Sequence, residues 1–100
     1  MFDMSDVNFK TILNILSTIV PQCEVIAYGS RVKGTSHPGS DLNLLLKAKK
    51  QVNPMQLYSL KSAFEDSNLP FTVDILDWHS IPDQFKENIQ PCFVIMQTGR

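Results

Sequence analysis

The sequence predicts a small α/β domain of α+β character, a mixed three-stranded sheet flanked by helices in the order α-β-turn-β-α-β-α. Three observations predict it. Apolar residues recur at helical spacing in two long segments, which marks amphipathic helices. Three short apolar runs bounded by glycine, proline or serine read as strands. These strands alternate with helices, and that alternation implies an open sheet covered by helices.

The first helix spans about Ser5 to Val20, with Phe9, Ile12, Leu13, Leu16 and Val20 on one stripe. Ser5 or Asp6 can cap its start, and Pro21 stops it. Glu24-Val-Ile-Ala-Tyr28 follows as a short buried strand, its length and Val-Ile pair favouring strand over helix. Then come the turn Gly29-Ser-Arg-Val-Lys-Gly34 and the loop 35–40, before a second strand, Asp41-Leu-Asn-Leu-Leu-Leu46. About a dozen residues separate these two strands, at most a single helical turn, which is short for a parallel crossover and favours a mixed sheet.

Asn53-Pro54 marks a helix start, asparagine as cap and proline at the first helical position, with Leu57, Leu60 and Phe64 as the buried stripe. Asn68-Leu-Pro70 ends that helix, and Phe71-Thr-Val-Asp-Ile-Leu76 is the third strand. Ser80 offers a cap for a last helix presenting Ile81, Phe85 and Ile89, which Pro91 kinks or ends. The apolar tail Phe93–Met96 fits either a further helical segment or a short strand, and the latter makes the sheet four-stranded.

With 100 residues the chain is expected to form one domain over 1–100, long enough to bury a core without disulfide or metal. A net charge of −1 carries no general footprint for nucleic acid or membrane, so local cations must do any phosphate binding. Cys23 and Cys92 are far apart, and with two scattered histidines they show no zinc-ligand spacing. They read as free thiols. No secretory leader and no membrane-length apolar run is visible, and the expected setting is cytosolic.

Two segments carry chemistry. Gly29-Ser30 leaves a strand and enters a turn, where a missing Cβ admits a ligand and amides and a hydroxyl can hold phosphate oxygens. Arg31 and Lys33 add positive charge beside them. In Ser40-Asp-Leu-Asn43, Asp41 and Asn43 are two apart and project to the same strand face. Asp74 interrupts an apolar strand, a costly place for a carboxylate unless it is paired or binds a metal. Converging oxygen donors of this kind suit Mg²⁺. Each feature has a plainer reading: an ordinary turn for Gly29-Ser30-Arg31, a strand cap for Asp41, an exposed edge position for Asp74.

His37 reads as a loop residue and His79 as structural or exposed. Asp77 lies on the face opposite Asp74 and reads as a turn or capping residue. Trp78 is expected to pack over a core edge, and Lys47, Lys49 and Lys50 to form a solvated strand exit.

Taken together, Tyr28-Gly-Ser-Arg-Val-Lys-Gly34, Ser40-Asp-Leu-Asn43 and Val73-Asp-Ile-Leu-Asp-Trp78 resemble the minimal nucleotidyltransferases of the DNA polymerase beta type superfamily. The resemblance runs over essentially the whole chain. It implies a nucleoside triphosphate, with ATP the expected one, held at Gly29 and Ser30 with Arg31 and Lys33 as phosphate contacts. It also implies two Mg²⁺ ions held by Asp41, position 43 and Asp74. The reaction implied is transfer of a nucleoside monophosphate to an acceptor hydroxyl, with Asp74 accepting or placing the proton. In that family the acceptor is often a HEPN-domain partner in a toxin-antitoxin pair, and a homodimer is compatible with the chain.

The sequence departs from the family at position 43, where aspartate is usual and this chain has Asn43. Asparagine keeps one carbonyl oxygen of similar shape and loses a full charge. Two readings stay open: an enzyme with weakened metal binding, or a non-catalytic antitoxin or interaction module for which the tail 93–96 supplies an apolar patch.

Overall fold

The computed structural model describes residues 4–34, 37, 39–89 and 93–99. The order is α1 (Asp6–Ile19), β1 (Glu24–Tyr28), α2 (Ser30–Lys33), β2 (Leu42–Lys47), α3 (Pro54–Asp66), β3 (Val73–Asp77), a 3-10 turn (Trp78–Ser80), α4 (Asp83–Ile89) and β4 (Phe93–Gln97). The expected kink at Pro91, the Cys92 thiol and most of the loop 35–38 lie outside the described residues.

The helices begin where local chemistry dictates. The Ser5 side chain accepts from the Asn8 amide and opens α1, and the Asn53 side chain accepts from the Met55 amide ahead of Pro54 and opens α3. The last helix differs from expectation. Ser80 belongs to the 3-10 turn, its hydroxyl accepting from the Gln51 side chain at 3.2 Å, while α4 starts after Pro82, whose carbonyl takes the Phe85 and Lys86 amides.

The strands form one mixed sheet in the order β3-β2-β1-β4, with β1 antiparallel to both β2 and β4, and β2 parallel to β3. The tail is thus a strand. A run of Phe-Val-Ile-Met has no helical or alternating period to read, and pairing with β1 decides its state. One sheet face presents Val25, Ala27, Leu42, Leu44, Leu46 and Ile75 to α1 and α3, where Ile12, Leu16, Leu60 and Phe64 complete the main core. The other face carries Ile26 and Leu45 under Ile89, with Leu76, Ile81 and Phe85 packed beside them. This second face runs on into the candidate site. Among the described residues no helix is long and apolar enough to cross a membrane.

Candidate active site

The register places one row of side chains across the sheet. Tyr28 on β1 pairs with Asn43 on β2, and Asn43 pairs with Asp74 on β3. Because alternate residues share a face, this row is continuous with Ile26, Leu45 and Leu76 two positions away. The row lies where β1 ends and where β2 and β3 begin. Asp41, two residues before Asn43, sits just ahead of β2 and is exposed.

The Gly-Ser turn closes this end of the sheet. Gly29 adopts φ +97°, a conformation that L side chains rarely take, and it precedes Ser30 at the start of α2. A Cβ there would lie 2.5 Å from the Asn43 side-chain nitrogen, so the turn and the Asn43 amide are in direct proximity. The Val32 and Lys33 amides both bond to the Gly29 carbonyl, and Gly34, at φ +78°, ends the helix in the left-handed conformation. The first amides of a helix have no carbonyl ahead of them within it, and Ser30 begins α2 directly after Gly29.

Arg31, expected as a phosphate contact, also has partners inside the fold. It is 7% exposed, its Nε donates to the Ser40 carbonyl at 2.9 Å, and its guanidinium lies 4.1 Å from the centre of the Phe71 ring. These contacts tie α2 to the residue before Asp41 and to the approach to β3. Ser40 is itself buried, and its hydroxyl accepts from the His37 amide at 2.9 Å. Lys33 is exposed at the end of α2, a cation open to solvent beside the turn.

Asp74 also differs from the premise that drew attention to it. Sheet order makes β3 an outer strand and Asp74 exposed, so no burial cost forces it to find a partner. Its significance rests on register beside Asn43. Among the described residues neither Asp41 nor Asp74 enters an ion pair, and no group of three acidic, histidine or cysteine side chains is poised to hold a metal. The donor set is two carboxylates and one amide oxygen, all hard oxygen donors, and it fits a divalent cation that takes its remaining ligands from phosphates and water.

Tyr28 is the site residue that sequence reasoning passed over, although it begins the Gly-Ser motif. Its ring packs edge-on against Phe85 with centroids 5.9 Å apart. Burial, and secondarily the charge of Asp74, pushes its phenol above the ordinary value. A hollow of about 700 Å³ along β3 is lined by Tyr28, Asn43, Asp74, Phe71 and Leu76 together with α3 residues such as Lys61. Ser30, Arg31, Lys33 and Asp41 are not part of that lining, so the turn and Asp41 stand at its margin.

Asp77 caps, as its position suggests, and it is buried. One carboxylate oxygen accepts from the Val52 amide at 2.7 Å and the other from His79 at 2.9 Å. Trp78 lies beneath Lys47 and Lys86, whose ammonium groups are 4.4 and 4.6 Å from its ring centre. His79 bonds to the Ala48 carbonyl at 2.7 Å. These residues brace the opposite end of the sheet.

The sequence profile of polymerase beta nucleotidyltransferases matches residues 10–96. This chain belongs to that family. It is similar to a probable protein adenylyltransferase MntA of Haemophilus influenzae, 36% identical over 95 residues that make up 95% of this chain and 83% of the relative. The fold is shared with a toxin-antitoxin crystallised with AMP-PNP, at a TM-score of 0.74 and 22% identity, over 91% of this chain and 74% of that one. It is also shared with a Shewanella oneidensis structure in which a tri-AMPylated HEPN toxin is in complex with an MNT antitoxin. There the TM-score is 0.65 and the identity 17%, over 95% of this chain and 74% of that one.

Proposed function

We propose that this chain transfers AMP from ATP to a hydroxyl on a HEPN-domain partner protein, as the antitoxin of a toxin-antitoxin pair. The observation that carries the reading is the row itself: Asn43 and Asp74 in register, Asp41 two residues upstream, and the Gly29 turn against Asn43. The likeness to an adenylyltransferase at 36% identity supports the choice of adenylyl over other groups. The chain acts as a single domain in the cytosol, where the free, buried Cys23 stays reduced.

Asp41, Asn43 and Asp74 are the residues that would hold Mg²⁺. A divalent cation there supplies positive charge against the triphosphate and acidifies the acceptor hydroxyl. The chain does the rest. Gly29, lacking a side chain, lets the phosphates approach, and Ser30 and Lys33 donate to their oxygens. The acceptor oxygen forms a bond to the α-phosphorus, the bond from that phosphorus to the bridging oxygen breaks, and pyrophosphate leaves. The Asp74 carboxylate takes the acceptor's proton. Arg31 acts on none of these atoms; it positions Ser40, and through it Asp41.

Asn43 favours a second reading, in which the chain neutralises its partner by binding alone. The two separate cleanly. The chain is mixed with its HEPN-domain partner, Mg²⁺ and ATP labelled at the α-phosphate, alongside Asp41→Ala and Asp74→Ala. Label on the partner, lost in both variants, is the expected result. A stable complex that never acquires label from any nucleoside triphosphate leaves the binding module as the function.

A further inference from the structure

We infer that Asn43 serves the nucleotide as an N–H donor at the mouth of the Gly29 turn, and that the chain consequently holds one divalent cation with its nucleotide, where two are usual for the fold. The inference rests on the nucleotidyl-transfer reading and concerns how this chain's own residues share out its work.

Of the Asn43 atoms near Gly29, the side-chain nitrogen is closest, 2.5 Å from where a Cβ would stand, against 3.6 Å for the side-chain carbon that bears it. The amide thus turns its donor toward the phosphate-binding turn. An amide nitrogen donates two hydrogens and has no lone pair to give a cation. At the turn it adds to the donors that Ser30 and Lys33 bring, where the ligand is rich in acceptors.

What it gives up is bridging. A second cation beside the first would be repelled by it, and carboxylate charge would have to offset that repulsion. An aspartate has two equivalent oxygens for that purpose; Asn43 has one, and it is uncharged. No neighbour makes good the loss. Across β1 the partner of Asn43 is Tyr28, a phenol and not a carboxylate, and across β3 it is Asp74 itself. The described residues hold no third acidic, histidine or cysteine side chain at this place. Two carboxylates, the single Asn43 oxygen and a triphosphate match the ordinary needs of one Mg²⁺, which is commonly bound through one or two carboxylates plus phosphate oxygens and water.

The test counts cations. The native chain is saturated with a non-hydrolysable α,β-methylene analogue of ATP, Mn²⁺ is titrated in, and free Mn²⁺ is followed by electron paramagnetic resonance. One bound Mn²⁺ per nucleotide complex is expected for the native chain and two for Asn43→Asp. Asn43→Ala, checked for folding by circular dichroism, should stay at one Mn²⁺ while binding the analogue about ten-fold more weakly, the loss of one hydrogen bond to a charged oxygen. Two Mn²⁺ in the native chain, one in Asn43→Asp, or undiminished analogue affinity in Asn43→Ala each overturn the inference while leaving nucleotidyl transfer standing. A native chain that binds no analogue at any Mn²⁺ concentration overturns both.

Discussion

Asn43 and Asp74 are direct partners across the parallel pair of β2 and β3, on the sheet face that also carries Tyr28. An amide therefore stands beside the one carboxylate of that row. Asp74 makes no ion pair among the described residues and is exposed, so the fold does not depend on it. A site with a charge to spare would tolerate its loss; this one should not. Asp74→Ala is expected to leave thermal stability within about 0.5 kcal/mol of native while lowering nucleotidyl transfer at least about 100-fold, the upper end of what is lost when a group merely supporting a metal ligand is removed. Thermal melting and label transfer to the partner, measured on the same preparation, check both halves. A large loss of stability would make Asp74 structural.

Gly29 tests the turn. An alanine there must hold φ near +97° and bring its Cβ against the Asn43 nitrogen. The backbone part costs about 1–3 kcal/mol, and the steric part is relieved only if the Asn43 amide swings away from the turn. Gly29→Ala should lower the melting temperature by about 5–15 °C and weaken ATP binding. In the double variant Gly29→Ala/Asn43→Ala the steric part disappears, so the two changes should destabilise by less than their sum. Strict additivity would mean that the turn and Asn43 do not touch.

Arg31 separates holding the site from touching the ligand. Its guanidinium is buried against Phe71 and its Nε serves the Ser40 carbonyl. Arg31→Ala removes the cation–aromatic contact and strips the Ser40 carbonyl of that donor, a loss of about 2–4 kcal/mol. Arg31→Lys keeps the charge but not the planar stacking or the Nε donor, and should fall well short of rescue. The expected signature in chemical denaturation is a lower midpoint with an unchanged slope for both variants. Phe71→Leu should reproduce part of the loss, since it removes the ring and spares the charge. If Arg31→Ala melted like the native chain and lost only ATP affinity, the arginine would be a phosphate contact after all.

How far the site could be read in advance follows from whether its causes are local. The start of α3 at Asn53-Pro54 and the Gly-Ser turn are written in adjacent residues, and both stand where the sequence puts them. Strand period predicts a shared face for Asp41 and Asn43, but β2 begins at Leu42, so Asp41 stands one residue ahead of the strand. The destination of the Arg31 side chain depends on Phe71, 40 positions later, and no local pattern encodes it. The exposure of Asp74 likewise depends on sheet order, because the same five residues would be buried in a central strand. Tyr28 was legible only as a neighbour of Gly29; its coupling to Asp74 passes across β2 and needs the register to be seen. The strand character of Phe93–Gln97 is owed to β1, and the 3-10 turn that takes Ser80 out of its capping position is owed to the Asp77 cap that precedes it.

That coupling can be titrated. Burial first, then the Asp74 charge, raises the Tyr28 phenol, and burial first, then the Asp77 charge, raises the Cys23 thiol. In the unfolded chain these groups ionise at about 10 and about 8.5. Both are neutral acids whose folded value lies above the unfolded one, so their contribution to stability is complete below the unfolded value and is lost as pH rises toward the folded one. Stability should therefore decline on the alkaline side from about pH 8.5 upward, and Cys23→Ala should remove the first part of that decline. The chain has two tyrosines, so Tyr58→Phe leaves Tyr28 as the only one and its tyrosinate absorbance at the red edge of the ultraviolet band can be followed directly. In that background Asp74→Asn should move the Tyr28 titration downward without bringing it all the way to the free value, because the larger cause, burial, remains. An unmoved titration would place the phenol beyond reach of Asp74 and remove Tyr28 from the site.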